Sequence, residues 1–288
     1  MDYTAVVLLE ILYMIAFLVL ASAGLAVVFG MMRVINLAHG EFVMLGGYTT
    51  LACYDAGINI FFAMLVIAPI VVGLVGLIVE RVVVRWLYGR MIDTMLATWG
   101  LSLLLVGLVT LIFGSSAVGV PTPIPGYQLG EFQMGGYNLF IIAIAILVVL
   151  GMWLMLRYTR AGLIARGAMQ SAEVASSLGY NPRTVYMLTF TAGAALSGLA
   201  GGVLAPLTGL LPSSGGAYIA KAFITVITGG AAIISGTLSS GVLFGAINQI
   251  VSFGANPVIG EIAMLALAIV LLRLMPQGIT GRFFRNST

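Results

Sequence analysis

Charge is what this chain has least of. Asp, Glu, Lys and Arg make up 7% of its 288 residues, where a soluble domain carries about 25%. Water cannot solvate a surface so poor in charge, so a soluble enzyme is excluded and every apolar run of helical length becomes a candidate bilayer span. The 12 basic and 9 acidic residues leave a net charge of +3, too small and too scattered for a nucleic-acid groove, which needs a clustered basic stripe. Cysteine and histidine are scarcer still. Cys53 stands alone and cannot close an intrachain disulfide, and with His39 as the one histidine there is no Cys/His set at metal spacing. The phosphate loop G-x-x-x-x-G-K-[ST] and the patterns H-E-x-x-H and G-x-S-x-G are missing too. The expectation is therefore a chain that is not an enzyme and binds no metal or cofactor of its own, with any ATP energy, and its Mg, residing on another subunit.

What is abundant is apolar: 61% of residues are hydrophobic and the mean hydropathy is +1.16. Runs of bilayer length fall at residues 6–32, 60–79, 93–113, 137–156, 184–205 and 258–275. Three further stretches are ambiguous. Residues 41–56 are short, and 217–235 and 236–254 are punctuated by Gly229, Gly230, Ser235, Gly236 and Gly241, which suggests broken or re-entrant helices. The fold class this implies is all-α, a polytopic membrane helix bundle of about eight to ten segments. The 37 glycines, well above the usual ~7%, suit helices that pack backbone to backbone. The chain opens Met-Asp-Tyr with Glu10 next and lacks the positive start of a signal peptide, so its first apolar run is expected to be retained as a span.

Arginine positions suggest an orientation. Arg33; Arg81, Arg85 and Arg90; Arg157, Arg160, Arg166 and Arg183; and Arg273, Arg282 and Arg285 form four clusters that the positive-inside rule assigns to the cytoplasm. Residues 114–136 hold no Lys or Arg, only Glu131 and prolines at 121, 123 and 125, and read as an irregular extracytoplasmic loop. If residues 41–56 and both Gly-punctuated stretches cross, the N-terminus lies outside and the C-terminus in the cytoplasm.

Three stretches could carry function. The polar interval 157–183 has four arginines and one acid, Glu173. Within it, 165–178 reads as a single short helix stopped by Gly179 and Asn181-Pro182. Ile164, Ala168, Ala172, Ala175 and Leu178 recur at helical spacing and form a small-residue stripe able to seat in a groove of another protein, against the plainer reading of a surface helix. The stretch from Arg33 to Gly47 brings Asn36, His39, Gly40 and Glu41 close together between apolar runs. Such residues are costly at membrane depth, so they read either as a cavity lining or an interfacial turn, against the plainer reading of a solvated cytoplasmic connector or a capped helix start. Asn36 and His39, three apart, would share a helical face. In 189–206, Gly193, Ser197 and Gly201 form one row at intervals of four, and Ala194, Gly198 and Gly202 the next, so another helix could approach to backbone contact.

These residues carry a resemblance. Gly24-Leu25, Gly30, Arg33-Val-Ile35-Asn36-Leu-Ala38-His39-Gly40-Glu41-Phe42 and Gly46-Gly47-Tyr48 closely resemble the signature of the branched-chain amino-acid (Liv) permeases of bacterial ABC importers. Residues Arg166, Gln170, Ala172-Glu173, Ala175, Leu178-Gly179 and Asn181, with the small-residue rows that follow, are similar to that family's coupling region. The tail Met275-Pro276-Gln277-Gly278-Ile279 looks like its usual ending.

The resemblance implies one transmembrane permease domain over 1–288, with a cytoplasmic coupling segment at about 157–183. It also implies a bacterial inner membrane location, a second homologous permease, two cytoplasmic ABC ATPases and an extracytoplasmic substrate-binding protein. Asn36, His39 and Glu41 would then belong to the pathway or its gate. Arg166, Ala168, Gln170, Glu173, Ala175, Leu178 and Gly179 would couple to the ATPases, and Gly193, Ser197, Gly198, Gly201 and Gly202 would pack helices. Urea and short-chain amide ABC permeases share the same core motif and remain an alternative. An ion-driven secondary carrier would want acidic or histidine relays in its spans, for which Glu261 and Lys221 are the isolated candidates. A possible inverted repeat pairs Leu37, Gly40 and Phe42 with Leu238, Gly241 and Leu243.

Overall fold

Long apolar runs fold as helices because a bilayer core supplies no partner for backbone N–H and C=O groups, which a helix satisfies internally. A computed structural model describes residues 2–129, 132–230 and 232–283. Glu131 and Arg285, used in the charge reading above, lie outside them.

In chain order the helices are α1 (Asp2–Met32), α2 (His39–Asp55), α3 (Ile60–Phe62), a π-helical turn (Ala63–Ile67) running on into α4 (Ala68–Val82), and α5 (Met91–Phe113). They continue as α6 (Gly136–Tyr158), α7 (Arg160–Gln170), α8 (Ala172–Ser177), α9 (Pro182–Thr208), α10 (Gly215–Gly229), α11 (Ile233–Gly254), α12 (Pro257–Leu274) and α13 (Gly278–Phe283). Seven stretches among the described residues are long and apolar enough to cross a membrane: those of α1, α3 through α4, α5, α6, α9, α11, and α12 into α13. The shorter α2 and α10 complete an all-α polytopic bundle. Two three-residue strands, β1 (Tyr127–Leu129) and β2 (Phe132–Met134), pair antiparallel with Tyr127 opposite Met134 in the loop after α5.

Helix ends follow local chemistry. Asn59, Asn181 and Asn256 cap α3, α9 and α12 by accepting from the amides of Phe61, Arg183 and Ile259 at 2.9, 3.0 and 2.9 Å. Pro182 and Pro257 follow as first helical residues, where a missing N–H costs nothing. The α1 helix stops at Arg33, whose φ of 52° lies in the left-handed region that side chains other than glycine rarely enter. Two expectations about breaks are corrected. The interruption between the two ambiguous C-terminal stretches falls after Gly229, at Gly230 with φ 88°, while Gly236 and Gly241 lie inside an unbroken α11. The segment 165–178 is two helices, because Ser171 turns extended (φ −154°, ψ 110°) and caps α8 by accepting from Val174 N at 3.3 Å.

The chain divides into two compact units. One comprises residues 23–121 and 150–220 and is built around α9. The α2 and α4 helices pack on it, and Phe42, Val72, Val79, Phe190 and Ala194 share one buried core cluster. Backbones touch along these contacts. A Cβ on Gly201 would overlap the Val43 carbonyl, one on Gly46 the Gly198 carbonyl, and one on Gly198 would lie 2.7 Å from Ala68 O. Glycine inside a helix costs about 0.5–1 kcal/mol relative to alanine, and the approach of main chain to main chain is what it makes possible here.

The other unit comprises residues 1–22, 122–149 and 221–288. Here α11 lies on α1, with Gly245 against Ile15 and Gly241 against Val19. Thr280 donates to Gly229 O at 2.6 Å and Ser240 to Thr225 O at 2.6 Å. Lys221 and Glu261, isolated in sequence, form an ion pair at 2.5 Å, and the Lys221 ammonium sits 5.6 Å from the Phe17 ring centroid.

Candidate functional site

The polar residues at the start of α2 are buried, which corrects the solvated-connector reading: Asn36, His39 and Glu41 are all enclosed. Asn36 lies before the helix instead of on its face. Its Oδ1 accepts from Ala38 N at 3.1 Å, an Asx turn that sets the α2 start, and so the shared face with His39 does not form. Leu37 N in the same connector donates to Thr98 Oγ1 at 3.1 Å. One turn on, Ser102 donates to Glu41 Oε1 at 2.8 Å. Thr98 and Ser102 are four apart on α5 and present one polar face to the α2 start.

His39 Nδ1 lies 3.1 Å from Ser197 Oγ on α9. Ser197 Oγ also lies 2.9 Å from Gly193 O, so the hydroxyl bridges the imidazole and the α9 backbone. Ser197, expected chiefly to pack, is also a polar partner of the α2 cluster.

Glu41 has no cation beside it among the described residues. Its Oε2 is buried without a hydrogen-bond partner among them. Two features offset its charge. It stands in the first turn of α2, and Gly215, the first residue of α10, lies so close that a Cβ there would be 2.7 Å from Oε1. Both are positive helix ends, each favouring a nearby anion by about 0.3–1 kcal/mol, more when partly buried. A Cβ on Gly40 would likewise meet the Gly215 carbonyl. The α2 start, α5, α9 and α10 therefore converge on one carboxylate and one imidazole.

The segment 157–183 forms a separate feature. Thr159 caps α7 by accepting from Gly162 N at 3.0 Å, and Gly179 ends α8 with φ 86°. Arg166, Gln170, Glu173, Leu178 and Gly179 face outward, together with Leu163 and Val174. Ala168 and Ala175 are buried. The expected stripe therefore divides: Ala168 and Ala175 pack inward onto the chain itself, Ile164 and Ala172 are half-buried, and Leu178 joins Leu163 and Val174 in the apolar surface left outside.

Sequence reasoning did not single out Thr98, Ser102 or Gly215. Their types blend into apolar and glycine-rich runs, and a four-residue spacing of hydroxyls on α5 was the one available signal.

The architecture is that of a multi-pass helical membrane protein, and among the described residues it holds no group of acidic, histidine and cysteine side chains able to bind a metal. Over residues 7–275 it matches the family described as the branched-chain amino acid transport system permease component, and the chain belongs to that family. It is 31% identical over 284 residues, 91% of each chain, to the high-affinity branched-chain amino acid transport system permease protein BraD of Pseudomonas aeruginosa. It is 29% identical over 279 residues, again 91% of each, to the corresponding LivH of Escherichia coli. A probable branched-chain amino acid transport permease protein LivH of Methanocaldococcus jannaschii is 27% identical over 280 residues, 92% of this chain and 88% of that one. No solved structure matches the chain.

Proposed function

We propose that this chain is the transmembrane permease subunit of a binding-protein-dependent ABC importer for branched-chain or other hydrophobic amino acids. It works in a bacterial plasma membrane, with its C-terminus in the cytoplasm, beside a second homologous permease. An extracytoplasmic protein delivers the amino acid, and two cytoplasmic ATPases bind and hydrolyse ATP. The observation that carries this reading is the family match over residues 7–275. The scarcity of charge also fits, since selection of a zwitterion then rests with the delivering protein.

Energy enters at 157–183. Closure of the ATPases moves the exposed face of Arg166, Gln170, Glu173 and Leu178 on α7 and α8, and the motion passes to α9, which begins directly after them. At the other end of this path, α9 carries Ser197 against His39, so a shift of α9 reaches the buried polar cluster that we assign to the pathway or its gate.

The test is reconstitution of the chain with its neighbouring permease, ATPases and binding protein in liposomes. Uptake of labelled leucine that requires ATP and the binding protein supports the reading. Uptake by the chain alone, driven by an ion gradient, overturns it.

A further inference from the structure

Apart from the α2 cluster, a cleft of about 270 Å³ opens between the end of α4, the short turn after it and the first turn of α9. It is lined chiefly by Glu80, Arg81, Arg85, Asn181, Arg183 and Thr184. None of the three arginines is ion-paired among the described residues. Glu80, the one acid in the lining and 1% exposed, offsets at most one of the three. One of its oxygens accepts from the Tyr88 hydroxyl, while Oε2 is buried with no hydrogen-bond partner among the described residues. The first turn of α9 adds the positive end of a 27-residue helix. The cleft therefore offers positive charge in excess, together with one buried acceptor whose donor is missing.

Such a site fits an anion that brings a hydrogen-bond donor of its own, and its place in the fold identifies the source. Arg81 is the penultimate residue of the span Ile60–Val82 and Arg183 the second residue of Pro182–Thr208, so the cleft sits at headgroup level at the ends of two spans. One turn deeper on the same helix faces, Ile78 lies three residues before Arg81 and Leu188 four after Thr184, both exposed. Trp86, beside Arg85, is 75% exposed, and tryptophan is enriched at membrane–water interfaces. A soluble anion has no use for these apolar rows, and a phospholipid does.

We propose that this cleft binds the headgroup of an anionic phospholipid carrying a hydroxyl donor, of which phosphatidylglycerol is the simplest. Arg81, Arg85 and Arg183 hold the phosphodiester, the glycerol hydroxyl donates to Glu80 Oε2, and the acyl chains lie along Ile78 and Leu188. Basic pockets between membrane helices hold anionic headgroups on this principle. The inference is independent of the cargo transported.

The experiment is native mass spectrometry of the full chain loaded from micelles with equimolar phosphatidylglycerol and phosphatidylcholine. The expected result is one retained phosphatidylglycerol. The double variant Arg85→Gln, Arg183→Gln, at exposed positions, should lower its retention at least about ten-fold, with Arg273→Gln as an unaffected reference. Glu80→Gln should reduce the preference for phosphatidylglycerol over phosphatidic acid, which lacks the hydroxyl. Equal retention in the double variant, or equal loss in Arg273→Gln, overturns the site. Displacement by soluble glycerol phosphate would make it a soluble-anion site. Unchanged lipid retention with loss of a co-purified ATPase would make the cleft a protein contact, and either result refutes the lipid assignment.

Discussion

His39 and Ser197, 158 residues apart in sequence, meet Nδ1 to Oγ at 3.1 Å, and this contact fixes the start of α2 to the middle of α9. Both residues are buried, so whatever shifts α9 along or about its axis is felt at the imidazole. Removing one partner of a buried hydrogen bond costs about 1–3 kcal/mol. Ser197→Ala should lower thermal stability in detergent by an amount in that range, and His39→Ala should impair ATP-driven uptake while the complex still assembles. Uptake kinetics unchanged in His39→Ala would reduce the α2 start to a structural turn.

Gly201 and Gly151 separate packing from propensity. A Cβ on Gly201 would overlap the Val43 carbonyl, whereas one on Gly151 would meet nothing within 4 Å. Gly201→Ala should destabilise by about 1–3 kcal/mol, because the obstacle is backbone and cannot change rotamer. Gly151→Ala should be neutral or gain about 0.5–1 kcal/mol. Melting curves of the two variants read by tryptophan fluorescence decide it, and equal melting temperatures would refute the close approach.

The exposed face of α7 and α8 makes a separate prediction. Glu173→Arg combined with Leu178→Asp reverses a charge and removes an exposed apolar contact without touching the buried Ala168 and Ala175. ATPase co-purification and uptake should fall together while membrane insertion persists. Normal recovery of the ATPases would remove this face from the coupling route.

Tyr88 supplies a pH dependence. Burial, reinforced by its hydrogen bond to Glu80, raises its phenol well above the usual value near 10. A group that holds its proton more tightly folded than unfolded contributes stability that is lost as pH climbs past the unfolded value. Melting temperature should therefore fall progressively as pH rises above about 10, and more gently in Tyr88→Phe. An identical slope in the variant would show that Tyr88 is not enclosed.

The six strongest spans were legible because bilayer solvation writes itself into twenty-residue apolar runs, and α1, α3 through α4, α5, α6, α9 and α12 fall where those runs lie. Breaks within polar or glycine-rich stretches were not. Nothing in the composition of 165–178 marks Ser171 as the stop, since a serine serves equally as a helical residue and as a cap. The glycines at 229, 230, 236 and 241 look alike in sequence, and the left-handed turn at Gly230 is what separates them. The buried cluster was half legible. Asn36, His39 and Glu41 stood out as expensive, but the groups that meet this segment, Ser102 at Glu41, Ser197 at His39 and Thr98 at the Leu37 amide, are small hydroxyls that any apolar helix tolerates.

The seam between α2 and α9 joins main chain to main chain at Gly46 with Gly198 and at Gly201 with Val43. No side chain separates the helices at those two points, and on the same two helices Phe42 meets Phe190 edge to face while His39 meets Ser197. Sliding would have to part these pairs, and rotation would drive flanking side chains into the neighbouring backbone. The joint is therefore a clamp, through which a stroke that reaches α9 carries α2 with it.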